Sequence, residues 1–267
     1  MNLKEKVIAV TGGTGVLGAS FLKAIHEAGG KVCIIGRNLP VAEERANEIC
    51  ASGGSALAVK ADVLNEDQVK AAFEKIVGYF GRIDGLVNAA GGNMPEGILQ
   101  PDQDIFEMNI GGMQSVMNLN LWGTIIPTQI FGKSMANNGG GSIVNISSMS
   151  SQQAITKVMG YSLGKAAVDC YTKWFAVEVA NRYSDKIRMN AIAPGFFLTE
   201  QNRALLTEVD GAYTSRAKSI LQNTPFKRFG NPQELSGALV WLLSDASKFV
   251  TGTVITVDGG FSIFSGV

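Results

Sequence analysis

Tyr161 and Lys165 are four residues apart at the start of an apolar, helix-like segment, and this spacing would place both side chains on one face of a helix. The phenol of tyrosine has a reference pKa of about 10, too high for a general base at neutral pH, and a neighbouring ammonium would lower it. A tyrosine tuned in this way can exchange a proton with an alcohol or an alkoxide. Ser148 follows an apolar, strand-like run over 143–146, so its hydroxyl could bond the same substrate oxygen.

A glycine-rich loop lies near the start of the chain. It joins the apolar run 7–10 to a helical pattern, and Gly13, Gly15 and Gly18 match the G-x-G-x-x-G arrangement. Glycines allow the backbone to approach a pyrophosphate, and the N-terminus of the following helix favours its charge. The loop therefore predicts a dinucleotide site made by Gly12, Gly13, Thr14, Gly15, Val16, Leu17 and Gly18.

The end of the second predicted strand bears on the choice of cofactor. A carboxylate at position 36 would bind the ribose diol of NAD. Gly36 stands there instead, and Arg37 after it could hold the 2′-phosphate of NADP. The sequence therefore favours NADP(H), with NAD(H) as the alternative. Arg37 could also stack on the adenine or lie in solvent.

Strands and helices alternate along the chain. Apolar runs predict strands over 7–10, 32–35, 56–60, 86–88, 142–146, 187–192 and 254–257. Helical periodicity predicts a first helix that ends before Gly29, and further helices over 41–51, 65–80, 114–137, 160–183 and 231–244. This alternation predicts one α/β domain over 1–267, a Rossmann-like doubly wound parallel sheet of about seven strands with helices on both faces. Asn65 and Gln68 predict a capping box at one helix start.

The composition argues against several classes of function. The 267 residues carry 23 basic and 23 acidic side chains without a basic block, so nucleic acid is not an expected partner. No apolar run approaches a membrane span, and no signal peptide precedes the first strand. Cys33, Cys50 and Cys170 are scattered, which predicts buried thiols in a reducing, cytoplasmic compartment. With His26 as the one histidine, no metal site is expected.

Taken together, these motifs resemble the short-chain dehydrogenase/reductase family over nearly the whole chain. The resemblance implies hydride transfer between a carbinol carbon and nicotinamide, with Tyr161 exchanging the hydroxyl proton, Ser148 binding the same oxygen and Lys165 tuning Tyr161. It adds Asn120 as a fourth catalytic residue, which would help Lys165 to hold a row of waters. A homotetramer is the usual state of the family. The family pattern has Gly where Val16 stands, so Gly13 or Gly15 would make the close approach.

The same resemblance implies further contacts with the cofactor. They come from Asp62, Val63, Asn88, Ala89, Gly91, Tyr161, Lys165, Pro194, Gly195 and Thr199.

The long segment over about 195–230 is expected to cover the substrate, and it is polar just past Thr199. Asn93, Gln153 and Arg203 are the predicted substrate residues, and Lys157 and Arg216 are further candidate partners for a carboxylate. The sequence after Pro194, Gly91-Gly92-Asn93 and the C-terminal segment resemble a narrower group within the family, the D-mannonate oxidoreductases or fructuronate reductases.

That resemblance implies a small sugar-acid substrate, with D-mannonate and D-fructuronate as the pair. A gluconate 5-dehydrogenase-like reductase of another keto sugar acid is the alternative. A non-catalytic nicotinamide sensor is a remote alternative, since such proteins tend to lose Tyr or Lys, and Tyr161 and Lys165 are both present.

Overall fold

The computed structural model describes residues 1–198, 206–208 and 210–266, and its centre is a parallel sheet of seven strands. The strand order is β3-β2-β1-β4-β5-β6-β7. The winding reverses between β1 and β4, and in such sheets a crevice opens there at the carboxyl ends of the strands. The predicted doubly wound fold is confirmed. The strands are β1 (Val7–Thr11), β2 (Lys31–Gly36), β3 (Ala56–Lys60), β4 (Gly85–Asn88), β5 (Gly141–Ile146), β6 (Ile187–Pro194) and β7 (Val254–Val257).

Helices cover both faces of the sheet, because apolar side chains of the central strands point to both sides. One core contains Ile8, Val87 and Val144 and packs against the first group of helices, while the other contains Ala9 and Ile143 and packs against the second. The first group is α1 (Val16–Glu27), α2 (Leu39–Ala51) and α7 (Ser236–Leu243); the second is α3 (Glu66–Phe80), α4 (Ile110–Asn137) and α5 (Met159–Tyr183).

Helix α4 begins at Ile110, earlier than the predicted 114, because Asn109 caps it. The side-chain oxygen of Asn109 accepts from the backbone N–H of Gly112 at 2.9 Å. Gly112 also lies against the backbone of Glu96, whose carbonyl oxygen would overlap a methyl group at this position. Gly112 therefore allows the close packing of α4 against this turn.

The capping-box prediction is half right. The side chain of Asn65 accepts from the backbone N–H of Gln68 at 3.0 Å. The Gln68 side chain, however, accepts from the backbone of Asp62 rather than from that of Asn65. A complete capping box forms instead at Asn231 and Glu234, ahead of a tight 3₁₀ turn, Pro232–Leu235, that leads into α7.

The segment after β6 contains helix α6 (Ser215–Asn223) and builds a small core of its own. Leu206, Ala217, Ile220 and Phe229 are its buried members, with Phe261 from the C-terminal segment packed against them. Phe261 meets Phe196 edge to face, with ring centroids 5.1 Å apart. We call the described part of this segment, residues 195–198, 206–208 and 210–230, the cover. It packs as a separate unit next to the carboxyl end of β6. Thr199 and Arg203 lie outside the described residues.

The prediction that all three cysteines are buried is wrong for two of them. Cys33 lies inside β2 and is buried, whereas Cys50 and Cys170 are exposed on helices. Apolar periodicity around the two helical cysteines does not distinguish a core position from the exposed flank beside it.

Candidate active site

The glycine-rich loop leaves β1 at the switch point and enters α1 directly. Gly12 adopts a positive φ of +67°, and a methyl group on it would lie 2.6 Å from the backbone of Ala89 and Ala90. Gly15 is the N-cap of α1, and no side chain caps the helix, so its first N–H groups face the carboxyl edge of the sheet. This edge suits a diphosphate, because free N–H groups and the helix dipole both favour an anion.

Arg45, on α2, holds the shape of this loop and was missed by the sequence reasoning. Its Nη1 donates to the carbonyl oxygens of Gly13 at 2.5 Å and Gly15 at 2.9 Å. The contact joins residues thirty positions apart in the chain, and no local pattern announces it. These bonds fix the carbonyl groups of Gly13 and Gly15, while the N–H groups of the same two residues bond the carbonyls of Ile35 and Gly12.

At the end of β2, Gly36 is buried against Thr14. A methyl group at Gly36 would lie 2.7 Å from the Thr14 hydroxyl, so no larger residue fits without a shift. Arg37 follows and is exposed, with no ion pair to any described residue. The neighbouring β3 ends at Lys60. Two residues later, the carboxylate of Asp62 accepts from the backbone of Leu64 at 3.0 Å, and Val63 is buried.

The turn after β4 is fixed by Asn120 of α4. The side chain of Asn120 accepts from the N–H of Gly92 at 3.1 Å and donates to its carbonyl at 2.8 Å. Its Nδ2 also donates to the carbonyl of Val116 at 2.7 Å. A methyl group at Gly91 would lie 2.6 Å from Asn120 Oδ1 and 3.2 Å from Lys165 Nζ. Asn120 thus positions the turn beside Lys165.

Asn88, at the end of β4, points into the interior. Its Nδ2 donates to Thr128 Oγ1 and to Asn145 Oδ1, both at 2.9 Å. Its buried Oδ1 has no partner among the described residues. The amide nitrogen of Asn88 therefore joins β4 to α4 and β5, and any cofactor contact here falls to its backbone, Ala89 or Gly91.

Ser148, Tyr161 and Lys165 come together at the carboxyl end of β5. Ser148 accepts from the hydroxyl of Ser150 at 3.0 Å. Lys165 is buried, donates to the carbonyl of Ile146 at 2.7 Å, and places its ammonium 5.5 Å from the centroid of the Tyr161 ring. Three side chains that the sequence grouped by type and spacing are thus adjacent.

The expected electrostatics of this group need a correction. Burial raises the pKa of Tyr161, and a hydrogen bond with Ser148 opposes the rise. Burial lowers the pKa of Lys165 to about 8, against the opposing charge of Asp169. The pKa of Tyr161 is therefore raised rather than lowered as predicted, with the Lys165 ammonium over the ring and Ser148 bonding the hydroxyl.

Pro194 ends β6 at the same edge, and Gly195 follows it. The N–H of Gly195 donates to the carbonyl of Val257 at 2.9 Å, and a methyl group on Gly195 would lie 2.5 Å from the side chain of Asp258. This tight packing continues the edge of the sheet beyond β6, where the predicted partner Thr199 falls outside the described residues.

The predicted substrate residues do not share one set of contacts in the structure. Asn93 is exposed after the Gly92 turn. Gln153 is also exposed, but its amide donates to the carbonyl of Ser262 in the C-terminal segment, which leaves its oxygen for other contacts. Arg203 is not among the residues described.

Two cations named in the sequence analysis meet the segment before Tyr161. Arg216 of α6 donates through Nη1 to the hydroxyl of Thr156 at 3.3 Å. Lys157, next to Thr156, has a positive φ of +76°, and its carbonyl accepts from the N–H of Leu99 at 2.9 Å. The segment before Tyr161 is thus held by the 93–99 loop on one side and by the cover on the other.

Within the described part of the protein, no helix is long and apolar enough to cross a membrane, and no cluster of His, Cys, Asp or Glu could hold a metal ion.

The fold and this site together are those of one family of proteins. The family described as enoyl-(acyl carrier protein) reductase matches residues 15–262. The chain belongs to the short-chain dehydrogenase/reductase family and is an NAD(P)-dependent oxidoreductase.

Particular relatives are similar over their full lengths. The chain is 42% identical to UxuB, an uncharacterised oxidoreductase of Bacillus subtilis, across 100% of this chain and 98% of that protein. It is 41% identical, with a TM-score of 0.91, to a protein from Haemophilus influenzae provisionally assigned as a D-mannonate oxidoreductase, solved with bound NAD, and the match covers 100% and 98% of the two proteins. A gluconate 5-dehydrogenase of Burkholderia cenocepacia, solved with NADP and tartrate, is 32% identical with a TM-score of 0.85, over 98% and 96%.

Proposed function

We propose that this oxidoreductase interconverts a sugar-acid alcohol and its ketone, with D-mannonate and D-fructuronate as the pair. The observation that carries the substrate class is Arg216. It is a half-buried cation that reaches the segment five residues before Tyr161 and has no carboxylate partner among the described residues. The full-length similarity to the Haemophilus influenzae protein supports the particular pair.

Tyr161, Ser148 and Lys165 have separate roles in the proposed reaction. When bound, the nicotinamide supplies or accepts the hydride. Tyr161 gives its proton to the ketone oxygen or takes it back from the alcohol. Ser148 donates to the same oxygen and stabilises the developing alkoxide. Lys165 keeps a positive charge beside Tyr161, and Asn120 holds the Gly91-Gly92 turn against Lys165.

The cofactor site is assigned to residues on the carboxyl edge of the sheet. The Gly12–Gly18 loop would hold the diphosphate, Asp62 and Val63 would contact the adenine, and the 88–91 turn would contact the riboses. Tyr161 and Lys165 would contact the nicotinamide ribose, and Pro194, Gly195 and Thr199 would hold the nicotinamide amide.

NADP(H) is the proposed preference. No carboxylate stands at Gly36, Thr14 fills the space where one would lie, and the exposed Arg37 is free to meet a 2′-phosphate. NAD(H) is the alternative, since the Haemophilus influenzae relative holds NAD while the Burkholderia relative holds NADP.

A second candidate substrate is a keto sugar acid of the gluconate type. The relative solved with tartrate, a small hydroxy dicarboxylate, favours a site that accepts carboxylate and hydroxyl groups together. In both cases we assign the substrate carboxylate to Arg216, with Lys157 and Arg203 as further cations and with Asn93 and Gln153 as hydroxyl partners.

We also propose that residues 1–267 form one domain that assembles as a homotetramer in the cytoplasm. The exposed side of α5 carries Leu163, Cys170, Trp174 and Val177, spaced 7, 4 and 3 residues apart along one face. Trp122 adds an exposed ring on α4. An apolar stripe of this kind is typical of helix pairing, and free thiols suit a reducing compartment. Light scattering at several protein concentrations tests the assembly, and a monomer throughout would contradict it.

The test of the function is a panel of ketones with both nicotinamides. Reduction of D-fructuronate or 5-ketogluconate at a higher kcat/KM than lipid-like ketones is expected. Turnover of lipid-like ketones alone would refute the substrate class, whichever cofactor is used.

A further inference from the structure

Asp169 is a buried carboxylate that the proposed reaction does not use. It lies on α5 four residues after Lys165, and it is only 7% exposed. One of its oxygens, Oδ1, is buried without a hydrogen-bond partner among the described residues. A buried carboxylate is costly unless it is paired, so this position calls for a compensating contact.

The other oxygen of Asp169 contacts Ser151, which in turn contacts Ser148. The Ser151 hydroxyl lies 2.5 Å from Asp169 Oδ2 and 2.7 Å from the backbone carbonyl of Ser148. A serine hydroxyl has a single proton to donate. The Ser148 carbonyl already accepts from the N–H of Ser151 at 3.0 Å, so the hydroxyl proton is available to the carboxylate. Asp169 thereby anchors the turn that carries Ser148.

Lys165 supplies the second reason for a carboxylate at this place. Its ammonium is buried with the Ile146 carbonyl as its hydrogen-bond partner. Asp169 is the acid whose charge supports the ammonium against burial. Tyr161, Lys165 and Asp169 are spaced by four residues each, which sets them along one side of α5.

Few other ionisable groups surround this row in the described part of the protein. On α5 itself Tyr161 lies next to Lys165, and Lys173 follows Asp169 by four residues but is exposed. Tyr171 is directed toward Thr128 and Gln129 of α4. Helix α4 carries one charged residue, Lys133, near its end, while β5 and the 149–151 turn carry none. Arg188 of β6 bonds the carbonyls of Leu242 and Ser244 on the opposite face of the sheet.

We propose that Asp169 is a positioning residue for this reaction: through Ser151 it holds the Ser148 turn, and through its charge it keeps Lys165 as an ammonium. The inference rests on the proposed roles of Ser148, Tyr161 and Lys165, but not on the identity of the ketone. The two effects can be separated by mutation. The Ser151 side chain connects Asp169 to the Ser148 turn, and the Asp169 carboxylate supplies the charge near Lys165.

The test compares pH profiles of kcat/KM for ketone reduction in Asp169→Asn, Ser151→Ala and the wild type. Because burial lowers the pKa of Lys165 to about 8, the alkaline limb of the profile reports loss of its proton. Removing the nearby negative charge lowers the pKa of Lys165 further, so Asp169→Asn should move this limb to lower pH. Ser151→Ala keeps the carboxylate, so its limb should stay in place while kcat falls about tenfold, the loss expected for one hydrogen bond to a charged group.

The matched control is Glu178→Gln, which removes the same charge from the same helix at an exposed pair with Arg182. Its profile and kcat should equal those of the wild type. Nicotinamide binding, followed by cofactor fluorescence, verifies that each variant is folded. An unshifted limb in Asp169→Asn, with activity lowered equally at every pH, would reduce Asp169 to a structural residue and overturn the proposal.

If Asp169→Asn does not fold, Ser151→Ala still tests the connection from Asp169 to the Ser148 turn. A kcat within about twofold of the wild type, or a shifted alkaline limb, would overturn the proposal. The assay uses whichever ketone the wild type reduces, so a wrong sugar-acid assignment leaves this test intact.

Discussion

At the scale of single residues, the site depends on where protons and charges are held around Tyr161. The tyrosine is half-buried, burial raises its pKa, and the opposing contact comes from Ser148. A phenol that stays protonated near neutral pH suits the direction of ketone reduction, in which the proton moves from Tyr161 to the substrate oxygen.

Replacing Tyr161 by Phe should abolish turnover and leave nicotinamide binding intact. The ring of Phe still packs beneath the Lys165 ammonium, but it has no proton to exchange. We expect kcat to fall by about 10²–10⁴-fold, the usual contribution of a general acid. Steady-state rates and cofactor fluorescence measure the two properties, and retention of more than about a tenth of the activity would remove Tyr161 from its assigned role.

Replacing Arg37 by Ala should weaken NADPH binding and leave NADH binding nearly unchanged, because only NADPH carries the 2′-phosphate. A lost hydrogen bond to a charged group costs about 1.5–3 kcal/mol, which corresponds to a tenfold to hundredfold rise in Kd. Arg182→Ala, at an exposed arginine near the end of α5, is the control. A wild-type preference for NADH would show that the NADP(H) assignment is wrong.

Residue type and spacing were enough to predict the meeting of Ser148, Tyr161 and Lys165, because a strand end and one helix turn place them with little freedom. The contacts of Arg45 and Gln153 could not be predicted in this way, since each joins segments far apart in the chain. Asp169 was within reach of sequence reasoning, because it continues the spacing of four from Lys165.

At the scale of elements, α4 and the cover form the part of the site that we expect to bind the substrate. The start of α4 depends on Gly112, which lets the 95–97 turn lie directly on the helix. Sequence reasoning placed this start too late, because glycine pairs usually interrupt helices and the packing need of Gly112 is invisible without its neighbour.

Gly112→Ala should destabilise the protein by about 1–3 kcal/mol, since the new methyl group would overlap the backbone of Glu96 and force the turn away. Gly111→Ala is the matched control: its methyl group would meet Asn109 Oδ1 at 3.5 Å, an ordinary contact, on an exposed helix position. The control should be neutral or gain up to about 1 kcal/mol from higher helix propensity. Denaturant unfolding measures both, and equal stability of the two variants would contradict the packing account.

Helix α6 was not predicted, because its nine residues lie in a long segment without sustained periodicity. It nevertheless delivers Arg216 to Thr156. Arg216→Ala should raise KM for D-fructuronate at least about tenfold, a loss near 1.4 kcal/mol, with little change for neutral ketones. Lys218→Ala, two residues along the same helix and exposed, should leave KM unchanged. Equal losses on charged and neutral ketones would mean that Arg216 only supports the cover.

At the scale of the whole molecule, the parallel sheet gathers every described part of the site at one edge. The loop after β1, the turn after β4, Ser148 after β5 and Gly195 after β6 all leave the carboxyl ends of their strands. Alternating strand and helix patterns predicted this arrangement, because parallel connections leave few alternatives. The substrate side was less predictable, because it depends on contacts of the 93–99 loop, the cover and the C-terminal segment.

The proposed substrate is a sugar ketone that carries a carboxylate. The most direct test of this assignment is the ratio of kcat/KM for D-fructuronate to that for D-fructose with NADPH, since the second ketone lacks the carboxylate at one end. We expect a ratio well above one that falls by about tenfold in Arg216→Ala. A ratio near one in the wild type, or turnover of D-fructose alone, would contradict it.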